Sequence, residues 1–502
     1  MSVFSPWDGV RLFPLFDDFG DLIAFSREYV TNTYGCRARA RNNTTKTLHY
    51  GRGNLSSITY ETIRQHPCFI IPSLFLRLMK ITLRNPILLS VFATLSYLAQ
   101  AQNNNIVIGH IDSLFSKILN EKRKIWVHVP DSYQNEMYAK RRYPVVYLLD
   151  GTDHFSSVVG MIEQLNAVNG NTICPEMIVV GIPNTNRLRD LTPTPGGGMI
   201  PSAADSIRLK NSGGGEKFTA FIERELIPHI DSLYPTEPYK VFIGHSLGGL
   251  MVINTLIHHP NLFNAYVAID PSMWWANQKL LNTAKQVIAS QKHAGKALFV
   301  GVANTMEPEM DTLRVQADTS GSTKHIRSIL ALDRLLKANG QTGLRYQGKY
   351  YGLEDHSSVP LITEYDALHF IFDSYRLKLT DQDYEEDNTL LADKITTHFT
   401  AATRQLGYKV KPQESLVNEL GHYMVSQKKF KKAESLFKLN VANYPTSFNA
   451  YASFGDYFVA KKDTASAIAN FQKSLSLKET LTTRKKLTAL LGRATPEPTT
   501  KK

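Results

Sequence analysis

From about residue 106 the hydrophobic positions gather into short runs divided by stretches of helical period, the pattern of a largely parallel α/β sheet. Lys124 to Val129 alternates like a half-buried strand and stops at Pro130. Pro144 to Leu149 (PVVYLL) and Met177 to Ile182 (MIVVGI) are continuous apolar runs, as expected of strands covered on both faces. Lys240 to Ile243, Ala265 to Ile269 and Ala297 to Val302 read the same way. Between them, Gly215 to Leu233 places Phe218, Phe221, Ile222, Leu226 and Ile230 on one helical face, and Leu247 to His258 predicts another helix. A third is predicted over Thr323 to Ala338, before a strand-like Leu344 to Tyr351.

The pattern breaks between Arg189 and Gly215, where Pro193, Pro195, Gly196 to Gly198 and Gly213 to Gly215 predict a long loop. It follows the C-terminal end of a strand, where α/β proteins place ligands, so a lid and an ordinary surface excursion are both open. After about residue 385 strand-like runs cease. Residues 386–410 read as a linker and 411–490 as two tetratricopeptide-like repeats, because Gly421, Ala433 and Phe437 recur 34 residues later as Gly455, Ala467 and Phe471. Two repeats bury little core alone, so they are expected to pack on the sheet domain or on another subunit. A docking surface for a protein or peptide partner and a stabilising appendage are equal readings. Residues 491–502 read as a disordered tail.

Upstream lies a run that begins at Met79. Lys80 and Arg84 precede an apolar core from Ile87 to Ala99, and Ala99-Gln100-Ala101 completes the order of an export signal. Residues 79–101 are therefore expected to be a signal peptide, with a secreted or periplasmic product that keeps no stable membrane span. Residues 1–78 are expected to be a non-native upstream extension or disordered. The alternative is a genuine extension with a membrane-proximal apolar segment.

Composition adds exclusions. A chain of 502 residues suggests about two to three domains. The net charge of +12 is spread along the chain without aromatic interleaving, which argues against a nucleic-acid partner. Lys428, Lys429, Lys431 and Lys432 read as a solvated helix face. Cys36, Cys68 and Cys174 have no metal-ligand spacing, and Cys174 reads as a small buried apolar residue.

The chemistry begins at Gly244-His245-Ser246-Leu247-Gly248, a G-x-S-x-G between a strand and a helix. So tight a turn needs glycine at its flanks and lifts Ser246 to the sheet's rim as a nucleophile. A serine needs a base, and His356 follows the strand-like Leu344 to Tyr351 in a loop, whereas His258, His259 and His325 fall in expected helices. An acid is expected after the strand Ala297 to Val302, where Glu307 is the first choice and Asp311 the second; a Ser–His dyad is also open. Oxyanion donors are expected from Leu247 and from Gly151 or Thr152. The whole predicts an α/β-hydrolase fold with a mostly parallel central sheet and a small all-α helical-repeat domain.

YLLDG (Tyr147 to Gly151), VVGIPNTNRLRDLTP (Val179 to Pro193), FIGHSLGG (Phe242 to Gly249), DPSMWW (Asp270 to Trp275) and EDHSSVP (Glu354 to Pro360) occur in this order. Together they resemble the Putative esterase family that includes S-formylglutathione hydrolase, feruloyl esterases, enterochelin esterases and mycolyltransferases, and most of all its siderophore-esterase-like branch. The resemblance covers about residues 106 to 375. It implies a serine carboxylic-ester hydrolase that forms an acyl-enzyme on a siderophore, feruloyl or other small acyl ester, without metal or organic cofactor. Ser246 and His356 fall on the family's motif positions, while the acid does not align. Arg187, Arg189 and Asp190 lie beside the expected pocket and could meet substrate or shape the loop; Trp274 and Trp275 could line it or simply pack. An inactive binding protein of the same fold and an acyltransferase are the alternatives.

Overall fold

The computed structural model describes residues 105–166, 168, 171–197 and 205–494. The upstream stretch 1–78, the expected export signal 79–101 and the tail beyond 494 lie outside them.

Eight strands form one sheet: β1 (His110–Ser116), β2 (Glu121–His128), β3 (Tyr143–Leu149), β4 (Ile178–Ile182), β5 (Thr236–His245), β6 (Ala265–Ile269), β7 (Ala297–Ala303) and β8 (Arg345–Tyr351). Their order is β1-β2-β4-β3-β5-β6-β7-β8. The β1/β2 and β2/β4 pairs are antiparallel, and all the others are parallel. The continuous apolar runs become β3, β4, β6 and β7, every residue of which is buried. β1 (HIDSLFS) is a half-exposed edge strand, so its polar pattern carries no burial signal.

Helices cover both faces. α1 (Gly151–Asn166) lies on one side; α2 (Gly215–Phe221) runs through a wider turn, Ile222–Leu226, into α3 (Ile227–Leu233) on the other. α4 (Leu247–His258), α5 (Trp275–Val287) and α6 (Lys324–Ala338) share that second side, and α7 (Val359–Ile371) joins α1. The loop expected after Arg189 is tied down at both ends. Gly214 N–H donates to Arg189 O at 2.9 Å and Gly215 N–H to Thr192 O at 3.0 Å. Its described part also holds a short helix, Asp205–Lys210.

Residues 386–410 are not a linker. After the single-turn α8 (Asp381–Glu385) they form α9 (Leu390–Leu406), whose Leu391, Ile395, Phe399, Ala402 and Leu406 make one buried stripe. α10 (Glu414–Ser426), α11 (Phe430–Asn443), α12 (Phe448–Ala460), α13 (Thr464–Leu477) and α14 (Leu481–Ala494) follow. Each end of α10 and α11 recurs 34 residues later in α12 and α13. The glycines explain the period. A Cβ on Gly421 would sit 2.7 Å from the Phe437 ring, and one on Gly455 would sit 2.5 Å from Phe471, so each hairpin closes on a bare backbone. The apolar cluster under α1 and α7 continues through α9 into Val417, Met424, Leu436 and Phe437. The repeats thus extend the core of the sheet domain within one compact unit.

The lysine run is not wholly solvated either. Lys432 is buried and its ammonium donates to the carbonyl of Asp383, while Lys429 Nζ donates to Tyr384 O at 2.5 Å. Both pin α11 to α8.

Candidate active site

Ser246 sits between β5 and α4 at φ 59° and ψ −113°, a region that costs an L-residue on the order of 1–3 kcal/mol. The surroundings hold it there. Ser246 N–H donates to Ile269 O at 2.9 Å, and its carbonyl accepts from Leu250 N at 3.0 Å and Ser272 N at 3.0 Å. A Cβ on Gly244 would lie 2.5 Å from the Gly248 carbonyl, so no larger residue fits the turn. The hydroxyl is consequently presented at the C-terminal rim of the sheet.

His356, in the loop between β8 and α7, places Nε2 3.1 Å from Ser246 Oγ. Its Nδ1 lies 2.6 Å from Oδ2 of Asp270. The expected acids are elsewhere. Glu307 is exposed, and Asp311 is an exposed cap that accepts from Leu313 N at 2.8 Å and Arg314 N at 2.7 Å. The carboxylate on His356 comes instead from the residue after β6. Asp270 can turn there because its backbone takes φ 40° and its N–H donates to Gly301 O of β7 at 2.9 Å. Asp270 is fully buried; Oδ1 accepts from Ala303 N at 3.0 Å and Oδ2 from His325 Nε2 at 2.8 Å. Burial alone would raise its pKa, but the hydrogen bonds from His325 and His356 hold it well below the usual carboxylate range. Asp270, His325 and His356 offer ligand atoms within 4.8 Å of one another, the one such trio among the described residues that could hold a metal ion.

Sequence reasoning set His325 aside as a helix residue and missed Asp270 and Ser272, whose Oγ is 3.2 Å from Ser246 Oγ. The signal for Asp270 was the DPSMWW motif directly after a buried strand.

Leu247 opens α4, and Gly151 and Thr152 open α1, at the ends of the paired strands β5 and β3. Free N–H groups at two helix N-termini therefore lie at one rim. Gly151 is constrained as well, since a Cβ there would meet Ile182 N at 2.6 Å.

The residues expected to bind substrate are mostly engaged with one another. Arg189 is bidentate to Glu121 at 3.0 and 2.7 Å and reaches Asp190 at 2.7 Å. Asp190 pairs in turn with the buried Arg123 at 2.7 Å. This network fastens the loop to β2 and pairs the charges of both Arg189 and Asp190 within the chain. Arg187 clamps Asp150 through Nε at 2.7 Å and Nη2 at 2.9 Å, and its Nη2 also reaches the His245 carbonyl at 3.3 Å. It ties the end of β3 to the residue before Ser246. Trp275 is buried, donates from Nε1 to Thr194 O at 2.8 Å and packs on Gly196. Trp274 stays half-buried beside it.

The family model described as Putative esterase matches residues 116–361, which contain every one of these groups. The match spans just under half of the chain. Among its relatives, ferri-bacillibactin esterase BesA of Bacillus subtilis is 30% identical over 32% of this chain and 58% of its own length. Siderophore enterobactin esterase of Emericella nidulans is 29% identical over 31% of this chain and 52% of its own. The chain therefore spans little more than half the length of these curated relatives. The solved structure of an IroE-like serine hydrolase from Shewanella oneidensis is 28% identical with a TM-score of 0.56, covering 67% of this chain and 99% of that one.

Behind His356 a row of imidazoles continues. His245 lies 4.5 Å from it, ring centre to ring centre, and His154 of α1 lies 5.8 Å beyond. Burial, then repulsion from His356 and His154, holds His245 down to about 4, so it is neutral near pH 7 and adds no charge against an imidazolium at His356. The row ends at Glu364 of α7, 3.7 Å from His154. That carboxyl is buried without a hydrogen-bond partner of normal geometry, and burial pushes it up to about 8.

Among the described residues no helix is long and apolar enough to cross a membrane.

Proposed function

We propose that the protein is a serine carboxylic-ester hydrolase that works through an acyl-enzyme, with siderophore esters as its substrate class. One observation carries the reading: Ser246 Oγ, His356 and Asp270 form a continuous hydrogen-bonded line of 3.1 and 2.6 Å. Asp270 is ionised and can only accept, so His356 carries its proton on Nδ1 and turns a lone pair on Nε2 toward Ser246. As Oγ attacks the ester carbonyl, Nε2 takes its proton, and the Asp270 carboxylate stabilises the imidazolium that forms. The oxyanion would be met by the amides of Leu247 and of Gly151 or Thr152 at the two helix N-termini. His356 then protonates the departing alcohol, and a water activated by the same imidazole releases the acid and restores Ser246.

The substrate class is supported by the ferri-bacillibactin and enterobactin esterases among the relatives. We also read the two 34-residue hairpins as tetratricopeptide-type repeats and residues 79–101 as an export leader, which would put the enzyme outside the cytoplasm.

The test is covalent labelling by a fluorophosphonate probe together with hydrolysis of p-nitrophenyl acetate. Labelling is expected in the wild type and lost in Ser246→Ala; hydrolysis is expected to be lost in Ser246→Ala and in His356→Ala. Folded wild type that neither labels nor hydrolyses would sink the reading. Catecholate siderophore esters are then expected to exceed feruloyl and simple acyl esters in kcat/KM.

A further inference from the structure

We propose that His325 is a positioning residue of this hydrolase: from α6 it donates Nε2–H to the same Asp270 oxygen that receives His356 Nδ1–H, and so fixes both the aim and the counter-charge of the acid. The proposal rests on the reading above that Ser246, His356 and Asp270 act together.

Three elements converge on one buried carboxylate. Oδ1 takes the N–H of Ala303 at the end of β7, while Oδ2 takes His325 at 2.8 Å and His356 at 2.6 Å. An ionised carboxylate with no exposure needs such donors, because leaving it unpaired in the interior is costly. The anchors differ in rigidity. His325 is buried on a fifteen-residue helix packed under the sheet, whereas the side chain of His356 is 39% exposed on a loop. The two rings stand edge to face, 5.1 Å apart. His325 therefore stays fixed while His356 moves through its protonation cycle, and it keeps Oδ2 in place for Nδ1.

Sharing one oxygen also sets how much charge reaches His356. A second N–H on Oδ2 draws electron density away from the first, so His356 meets a weaker counter-charge than an unshared carboxylate would supply. The other groups around His356 are Ser246 and His245 at the end of β5, Glu354 and Asp355 in its own loop, and His154 one ring beyond His245. Removing the His325 donor leaves these in place and concentrates charge on Oδ2. An imidazolium at His356 is then held more strongly. Activity on the acidic side is consequently lost at a higher pH than in the wild type.

The experiment compares wild type, His325→Leu, which fills the space without a donor, and His325→Gln, whose amide can present an N–H near the Nε2 position. The kcat and KM for p-nitrophenyl acetate are measured across pH on protein shown to be folded by its thermal transition. His325→Leu is expected to lose about 10- to 100-fold in kcat, the worth of one charge-assisted hydrogen bond, with KM within about twofold. Its acidic limb in kcat/KM is expected to move up by roughly half to one pH unit. His325→Gln is expected to recover most of both. Where the Leu variant does not fold, His325→Asn, whose amide stops short of Oδ2, replaces it. Folded variants with unchanged kcat and acidic limb, or Gln and Leu variants equally impaired with an unmoved limb, overturn the proposal and make His325 a packing residue. Wild type without esterase activity, or active Ser246→Ala, overturns the underlying reading instead.

Discussion

Asp270, the residue that follows β6, meets Nδ1 of His356 at 2.6 Å although 86 positions separate the two in the chain. The loop after β7, where an acid was expected, contributes only the solvent-facing Glu307, Glu309 and Asp311. Asp270→Asn keeps the volume but turns an acceptor into a partial donor and favours the wrong imidazole tautomer. It is expected to lower kcat by about 10³- to 10⁴-fold, while Glu307→Gln and Asp311→Asn stay within about twofold of wild type. Steady-state kinetics on the three variants decide between the two loops.

Glu364 makes stability depend on pH. Its carboxyl is raised from 4.5 to about 8 in the folded chain, so the folded state holds a proton that the unfolded state releases. This contribution is fully present below about pH 4.5, declines as pH rises and is lost above about 8. Glu364→Gln, which is neutral at every pH, is expected to match wild type near pH 4.5. Above pH 8 it should be more stable, by at most about 5 kcal/mol. Denaturant unfolding at several pH values measures the difference, and parallel curves would show that Glu364 is not held protonated.

The close contact of Gly455 with Phe471 predicts a size-dependent cost in the C-terminal hairpin. Gly455→Ala would push a methyl to 2.5 Å from the ring, and a loss of about 1–3 kcal/mol is expected. Phe471→Leu in the same chain is expected to return part of it, so the double mutant should be less than additive. Chemical denaturation of the two single variants and the double variant tests the coupling.

The Asp270–His325–His356 trio has a donor set that a metal could occupy, so its chemistry can be separated by chelation. Dialysis against EDTA is expected to leave p-nitrophenyl acetate hydrolysis unchanged, since the imidazoles act there as proton donors and acceptor. Loss of activity restored by added zinc would assign the trio to metal binding.

Much of the fold is legible because burial writes itself into sequence locally. β3, β4, β6 and β7 are covered on both faces and appear as unbroken apolar runs, whereas edge strand β1 faces solvent on one side and does not. The 34-residue repeat is legible for a related reason: each glycine lies under an aromatic ring sixteen residues on, within one hairpin. In residues 386–410 the buried stripe of α9 is carried by spacing, which a composition of helix formers does not record.

By itself the sequence determined Ser246, since the turn that lifts it needs nothing beyond adjacent strand, glycines and helix. It likewise marked His356 by its loop. Which carboxylate that imidazole would find, that a second histidine would share it, and that Arg189 and Asp190 would spend their charge on Glu121 and Arg123, only the tertiary structure decided. Those pairings join strand ends and helices far apart along the chain, and no local pattern records which buried charge a distant backbone turn will bring within hydrogen-bond reach.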